Sequence, residues 1–171
     1  VTTLSFDIAV LELLLPLTVG ATVILASRDE ATDGHALRAL IETSAATMMQ
    51  ATPSTWRMVL DAGWRGAEGF TALVGGEALP ADLAADLLRR CSALWNMYGP
   101  TETTVWSSCG PVCAPERGIT IGRPIANTTI RILDGQGAAC PVGVPGEIFI
   151  GGSGVATGYL RNSMINEEGG V

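Results

Sequence analysis

The chain contains no lysine, one histidine and only 5% aromatic residues, and each shortage removes a class of reading. Its ten positive residues are all arginine, scattered between positions 28 and 161 against seventeen acidic ones, for a net charge of −7. No basic stripe exists to track a phosphate backbone, so nucleic acid is excluded as a partner. No apolar run reaches the roughly 18 to 20 residues of a membrane-spanning helix. The longest, residues 10–26, is broken by Glu12, Pro16, Thr18, Gly20 and Thr22, so no membrane partner is expected. The four cysteines, Cys91, Cys109, Cys113 and Cys140, make no CxxC pair and have no histidine cluster beside them. That argues against zinc and fits free thiols in a reducing, cytoplasmic setting. The start, Val1-Thr2-Thr3, shows neither a signal peptide nor an initiator methionine, which suggests an internal piece of a longer polypeptide. What remains, 47% hydrophobic and 16% charged residues, predicts a soluble globular core.

Short apolar runs at 22–25, 46–50, 72–74 and 93–97 read as strands, alternating with helix-like runs at 8–15, 36–43, 54–62 and 81–90. The alternation predicts an α/β fold with a mostly parallel sheet and covering helices. Asp7 before Ile8, Ser54 and Thr55 after Pro53, and Pro80 before Ala81-Asp82 read as helix starts. In such a sheet the ligand crevice lies at the carboxyl ends of the strands, where Gln50, Gly75-Gly76 and Met97-Tyr98 fall. From about Cys113 the pattern becomes antiparallel β: 128–133, the turn Asp134-Gly135-Gln136-Gly137, and 147–150. The expected division is therefore 1–112 as the α/β part and 113–171 as a β-rich part, with the boundary between 109 and 117.

The run Asn96-Met97-Tyr98-Gly99-Pro100-Thr101-Glu102-Thr103-Thr104 carries the most chemistry. A strand ending near Asn96 presents Tyr98 as a flat stacking surface, and Gly99-Pro100 turns the backbone. Beyond the turn, the Thr101 hydroxyl suits a phosphate oxygen and the Glu102 carboxylate suits the magnesium that accompanies it. A plain Gly-Pro turn closing a strand is the bland alternative.

This run, with Ser5-Phe6-Asp7-Ile8-Ala9-Val10-Leu11-Glu12 before it and Gly146-Glu147-Ile148-Phe149-Ile150-Gly151-Gly152-Ser153-Gly154-Val155-Ala156-Thr157-Gly158-Tyr159-Leu160 after it, resembles the adenylate-forming enzymes. The resemblance is closest to the amino-acid adenylation domains of nonribosomal peptide synthetases. Gln50-Ala51-Thr52-Pro53-Ser54 and Gly75-Gly76-Glu77-Ala78-Leu79-Pro80 fit between, so it extends to about Leu160. Beyond, Asn162-Ser163-Met164-Ile165-Asn166-Glu167-Glu168 stands where the family has a Pro-Glu-Leu-Thr-like helix start, and Thr157 stands where it commonly has Arg. By the same resemblance, 113–171 is the start of the family's small antiparallel β-barrel subdomain.

The resemblance implies a reaction of an amino acid with ATP to an aminoacyl-adenylate and pyrophosphate, then transfer to a carrier-protein phosphopantetheine thiol. Expected partners are the carrier-protein domain and a condensation domain. Carried onto this chain, Tyr98 stacks on adenine, Asn96 bonds its exocyclic amine, and Gly76, Glu77 and Ala78 wall the adenine slot. Thr101 contacts the α-phosphate and Glu102 ligates Mg2+. Asp7 pairs with the substrate ammonium, which needs an anionic partner once buried; read locally, the same residue is an N-cap. The remaining substrate positions are Ile8, Leu11, Gln50, Leu73, Gly75, Met97, Val105 and Trp106, a bulky set similar to family pockets that select glycine. Leu11 and Leu73 read equally as core.

Other residues take plainer readings: His35 as a helix-start residue, Arg89-Arg90 as helix C-terminal charges, Gly151-Gly152 and Gly154 as a barrel turn, and Trp56 and Trp64 as packing. A triphosphate chemistry normally uses a lysine, and the chain has none. It also lacks the family's Ser/Thr/Gly-rich loop followed by Lys, its Tyr-Arg-Thr-Gly-Asp-like ribose segment and its lysine-bearing lid. The isolated chain is therefore expected not to turn over. An acyl- or aryl-CoA ligase shares the Tyr-Gly-Thr-Glu turn without needing Asp7, and a nucleotide-binding piece without activity is a further alternative.

Overall fold

Pro16 sets the first local departure from a continuous helix over 8–15. A proline has no N–H to donate and disfavours helical geometry in the residue before it, so the segment divides into α1 (Ala9–Leu13) and α2 (Leu15–Thr18), with Pro16 in the first turn of α2. Gly20, at φ +72°, then turns the chain. The expected strand over 22–25 does not form. A strand exists only through hydrogen bonds to a neighbour, no described residue pairs with this segment, and Ile24 and Leu25 stay exposed. A helix follows instead, α3 (Arg28–Thr32), closed by a capping box between Ser27 and Glu30.

In the computed structural model, which describes residues 1–161, 164 and 165, the core begins with α4 (Gly34–Ser44). The Asp33 carboxylate accepts from the His35 and Ala36 N–H groups at its start. After it come β1 (Met48–Ala51), α5 (Pro53–Asp61), β2 (Thr71–Gly75), α6 (Ala81–Leu88) and β3 (Ala93–Tyr98). These strands run parallel, with Gln50 opposite Leu73 and Gly75 opposite Met97. The cap of α5 is Thr52, whose hydroxyl accepts from the Thr55 N–H, two residues before the expected Ser54, because Pro53 already occupies the first helical position.

The sheet is mixed rather than parallel throughout. β4 (Ser108–Pro111) returns antiparallel to β3, and β5 (Arg123–Pro124) pairs antiparallel with β4, giving the order β1-β2-β3-β4-β5. A second, antiparallel sheet pairs β6 (Thr128–Leu133) with β7 (Glu147–Gly152), so the passage between the sheets lies between Pro124 and Thr128. The pair β8 (Leu160–Arg161) and β9 (Met164–Ile165) follows. The rest of the tail, residues 162, 163 and 166–171, where the departure from the family pattern is concentrated, lies outside the described residues.

Trp56, Trp64 and Phe70 meet at ring-centroid separations of 5.0 to 6.2 Å, surrounded by Leu37 and Ile41 of α4, Val59 of α5 and Leu83 and Leu87 of α6. Both tryptophans are buried, as expected of packing residues. Truncating such a ring costs about 3 to 5 kcal/mol, which holds α5 and α6 firmly on the strands whose ends carry the candidate site. No helix among the described residues is long and apolar enough to cross a membrane.

Candidate functional site

The parallel strands deliver Gln50, Gly75, Met97 and Tyr98 to neighbouring positions at one end of the sheet, as their spacing predicts. From Tyr98 the chain turns at Gly99-Pro100 and makes one 3-10 turn, Thr101–Thr103. It reverses through two consecutive non-glycine residues at positive φ, Thr104 at 62° and Val105 at 65°. Each costs about 1 to 3 kcal/mol unless its surroundings compensate. Here they do: the Val105 N–H donates to Asp7 Oδ2 at 2.9 Å, the Thr104 hydroxyl donates to the Gly154 carbonyl at 2.7 Å, and the Ser107 N–H donates to the Tyr98 carbonyl at 2.8 Å. Gly99 is required by space, since a Cβ there would sit 2.7 Å from Trp106 Cα.

Asp7 is not the N-cap of α1. The residue at that position is Ile8, in helical conformation and without a side-chain cap bond. One carboxylate oxygen of Asp7 is engaged 98 residues away by Val105, which leaves Oδ1 for another partner.

The reversal brings Trp106 back over Gly75. Its indole N–H donates to Gln50 Oε1 at 3.1 Å, while Gln50 Nε2 donates to the Ile8 carbonyl at 3.1 Å and to Glu12 Oε1 at 3.0 Å. Gln50, Ile8 and Trp106 are all buried. A Cβ on Gly75 would lie 2.3 Å from Trp106 Cη2, so the indole fills the volume that a side chain at position 75 would need. Gly75→Ala in the full-length protein is expected to destabilise by about 1 to 3 kcal/mol through overpacking, read as a lower denaturation midpoint. An unchanged midpoint would mean that the indole yields without cost.

Among the predicted positions, Ile8, Gln50, Gly75 and Trp106 are thus joined directly, and Asp7 is joined to Val105. Met97 contributes its carbonyl beside Gly75. Leu73 lies in register with Gln50, and Leu11 is half-buried on α1; neither is tied to the indole by a hydrogen bond.

On the other side of β3, Asn96 is buried and its Nδ2 donates to the Thr120 carbonyl at 2.8 Å, which directs its amide oxygen the opposite way. Tyr98 is half-buried, and Gly76, Glu77 and Ala78 are exposed at the end of β2, with Gly76 at φ +83° and Glu77 accepting from the Ser54 hydroxyl at 2.9 Å. Thr101 is exposed. The Glu102 carboxylate accepts from the Tyr159 hydroxyl, which holds its pKa below the usual carboxylate value. The Ala156 N–H donates to the Glu102 carbonyl at 2.8 Å. Gly154 cannot carry a side chain, because its Cβ would lie 2.7 Å from the Thr103 carbonyl oxygen. The glycine-rich segment after β7 is therefore a turn that clasps the 101–104 segment.

Sequence reasoning missed Glu12, Tyr159 and the Gly154–Thr104 contact. Glu12 carried a signal, since it stands four residues after Ile8 on the same helical face. Tyr159 carried none, being 57 residues from its partner. Elsewhere, Arg90 donates to the Asp86 carbonyl at 2.8 Å and Arg89 pairs with the Asp86 carboxylate, in keeping with a helix-end role. His35 borders a shallow surface cleft of about 470 Å3 with Ser54, Arg57 and Asp61, away from the turn. Burial pushes the Cys91 thiol up to about 11, so it is not a thiolate near neutral pH.

Residues 1–160 match the family model described as AMP-binding enzyme. The chain is 44% identical over 169 residues to a PKS-NRPS hybrid synthetase of Aspergillus candidus and 40% identical over 169 residues to a dimodular nonribosomal peptide synthase of Bacillus subtilis. Each alignment covers 98% of the chain and 7% of the relative, so the chain spans a small part of the proteins it matches. A solved four-domain nonribosomal peptide synthetase bound to AMP and glycine superposes with a TM-score of 0.91 at 46% identity, over 95% of this chain and 12% of that one. An NRPS protein containing adenylation and PCP domains, bound to a vinylsulfonamide inhibitor, superposes at 0.78 with 31% identity, over 92% of this chain and 28% of that one. The chain belongs to the AMP-binding enzyme family and carries the sequence features of its nonribosomal-peptide-synthetase adenylation domains.

Proposed function

We propose that this chain supplies the amino-acid and adenine sites of an enzyme that activates glycine with ATP for nonribosomal peptide synthesis. The glycine carboxylate attacks the α-phosphorus and the bond to the bridging oxygen breaks. Pyrophosphate leaves, and glycyl-adenylate remains. The glycyl group would then pass to a carrier-domain phosphopantetheine thiol, with AMP released. Such chemistry asks the protein for alignment and charge neutralisation more than for covalent help.

The observation that carries the substrate reading is Trp106. Its indole packs against Gly75 and bonds Gln50, so the side-chain end of the pocket is filled by protein. The remaining Asp7 oxygen suits an ammonium group, and an anion held there speaks against an acyl- or aryl-CoA ligase. The similarity to a structure bound to AMP and glycine supports the same substrate. On the nucleotide side, Tyr98 offers the stacking face, the Asn96 amide oxygen is directed to accept from adenine's amine, and Gly76-Glu77-Ala78 line the slot. Thr101 is exposed to reach the α-phosphate.

The donor set at the turn fits magnesium, which binds through one or two carboxylates plus substrate phosphates rather than an all-protein cage. Glu102 is that carboxylate, with its Oε1 accepting from the Tyr159 hydroxyl and its Oε2 left for the ion. When bound, the ion neutralises charge on the phosphates.

In amino-acid-dependent pyrophosphate exchange by the full-length enzyme, glycine should lead alanine by about 10- to 150-fold and larger amino acids by more. Trp106→Ala should shift preference toward larger side chains. A panel in which leucine or phenylalanine beats glycine would overturn the substrate assignment.

A further inference from the structure

We propose that Glu12, outside the residues assigned to the substrate pocket, is a positioning residue that closes the side-chain end of that pocket by orienting Gln50 and, through it, Trp106. The inference rests on the glycine reading for its activity test but not for its geometry.

A glutamine amide has two unlike ends, an acceptor oxygen and a donor nitrogen with two protons. For Gln50 to receive the Trp106 indole N–H, its oxygen must face the indole and its nitrogen must face the other way. On that side stand two acceptors, the Ile8 carbonyl at 3.1 Å and Glu12 Oε1 at 3.0 Å, one for each proton. A flipped amide would set donor against donor at the indole and oxygen against two oxygens at α1. Both penalties are paid in a buried setting, where an unmatched polar group is costly. The Ile8 carbonyl is backbone, so Glu12 is the side chain through which sequence controls the amide's sense. Its charge strengthens the bond. The same Glu12 oxygen also accepts from the Thr2 hydroxyl, and the Glu12 side chain is only 16% exposed.

The result is a relay, Glu12 to Gln50 to Trp106, ending with the ring in van der Waals conflict with any side chain at position 75. Without Glu12 the amide is free to flip, the indole loses its acceptor, and the ring no longer has a single seat.

The test uses the full-length enzyme with three substitutions. Glu12→Ala removes the acceptor, Glu12→Asp keeps the charge but withdraws it by one methylene, and Glu12→Gln keeps an acceptor oxygen at the same reach. The glycine-over-alanine ratio of kcat/KM should fall about 10-fold or more in the Ala and Asp variants, and the Gln variant should recover it to within about threefold. Acrylamide quenching of tryptophan fluorescence supplies a readout independent of substrate: the Ala and Asp variants should gain a quenchable component that vanishes when Trp106→Phe is added. An unchanged ratio in Glu12→Ala, or rescue by Asp rather than Gln, overturns the proposal. If the wild-type enzyme prefers a large amino acid, the glycine reading fails while the quenching comparison still decides the role of Glu12.

Discussion

Asp7→Ala in the full-length enzyme should lower amino-acid-dependent pyrophosphate exchange by a few hundred-fold or more. Removing one partner of a buried charge pair costs about 3 to 5 kcal/mol, because the other charge is left without compensation. The structure adds a second consequence, since Asp7 also receives the Val105 N–H and so supports the reversal through Thr104 and Val105. Asp7→Asn separates the two roles. Its amide oxygen still accepts from Val105, so the turn is kept while the negative charge is lost. The Asn variant should therefore be nearly as weak toward the amino acid as the Ala variant, with thermal stability closer to wild type. Unchanged amino-acid dependence in both would remove the ammonium role and leave Asp7 as a turn anchor alone.

Glu102→Gln should reduce adenylation on the order of 100-fold, the scale seen when a group that stabilises transition-state charge is lost. Amino-acid preference should not move, because Glu102 belongs to the 101–104 turn and the proposed side-chain end of the pocket is formed by Gly75 and Trp106. The measurement is turnover across a magnesium titration at saturating ATP, and normal activity throughout would remove the metal assignment. The Tyr159 hydroxyl lowers the Glu102 pKa, so as pH falls this carboxylate is protonated later than an unpartnered glutamate.

The alternation of short apolar runs with amphipathic ones made β1 to β3 and α4 to α6 legible, since each strand is buried by helices that the sequence also encodes. What failed was what depends on partners. The run at 22–25 has strand composition but nothing to pair with among the described residues. The antiparallel return of β4 follows from a reversal at Thr104 and Val105, two residues that carry no turn signature. Gln50, Gly75 and Trp106 were placed by motif, and the contacts between them follow from strand register. Asp7 as an N-cap was a local reading, overridden by a bond spanning 98 residues. Tyr159 was invisible for the same reason, as its role exists only once the segment after β7 lies across the turn.

That crossing decides which positions of the segment can be substituted. Two of the fastenings between the segment after β7 and the 101–104 turn end on main-chain atoms of that segment, the Gly154 carbonyl and the Ala156 N–H. Main-chain atoms survive most substitutions, so the fastening tolerates wide drift at Ser153, Val155 and Ala156. Substitution is blocked at Gly154, where any Cβ strikes the Thr103 carbonyl, and at Tyr159, whose hydroxyl ties the segment to Glu102. In this chain most of the segment's surface is thus free of the duty of holding the 101–104 turn, which rests on main-chain atoms, Gly154 and the Tyr159 hydroxyl.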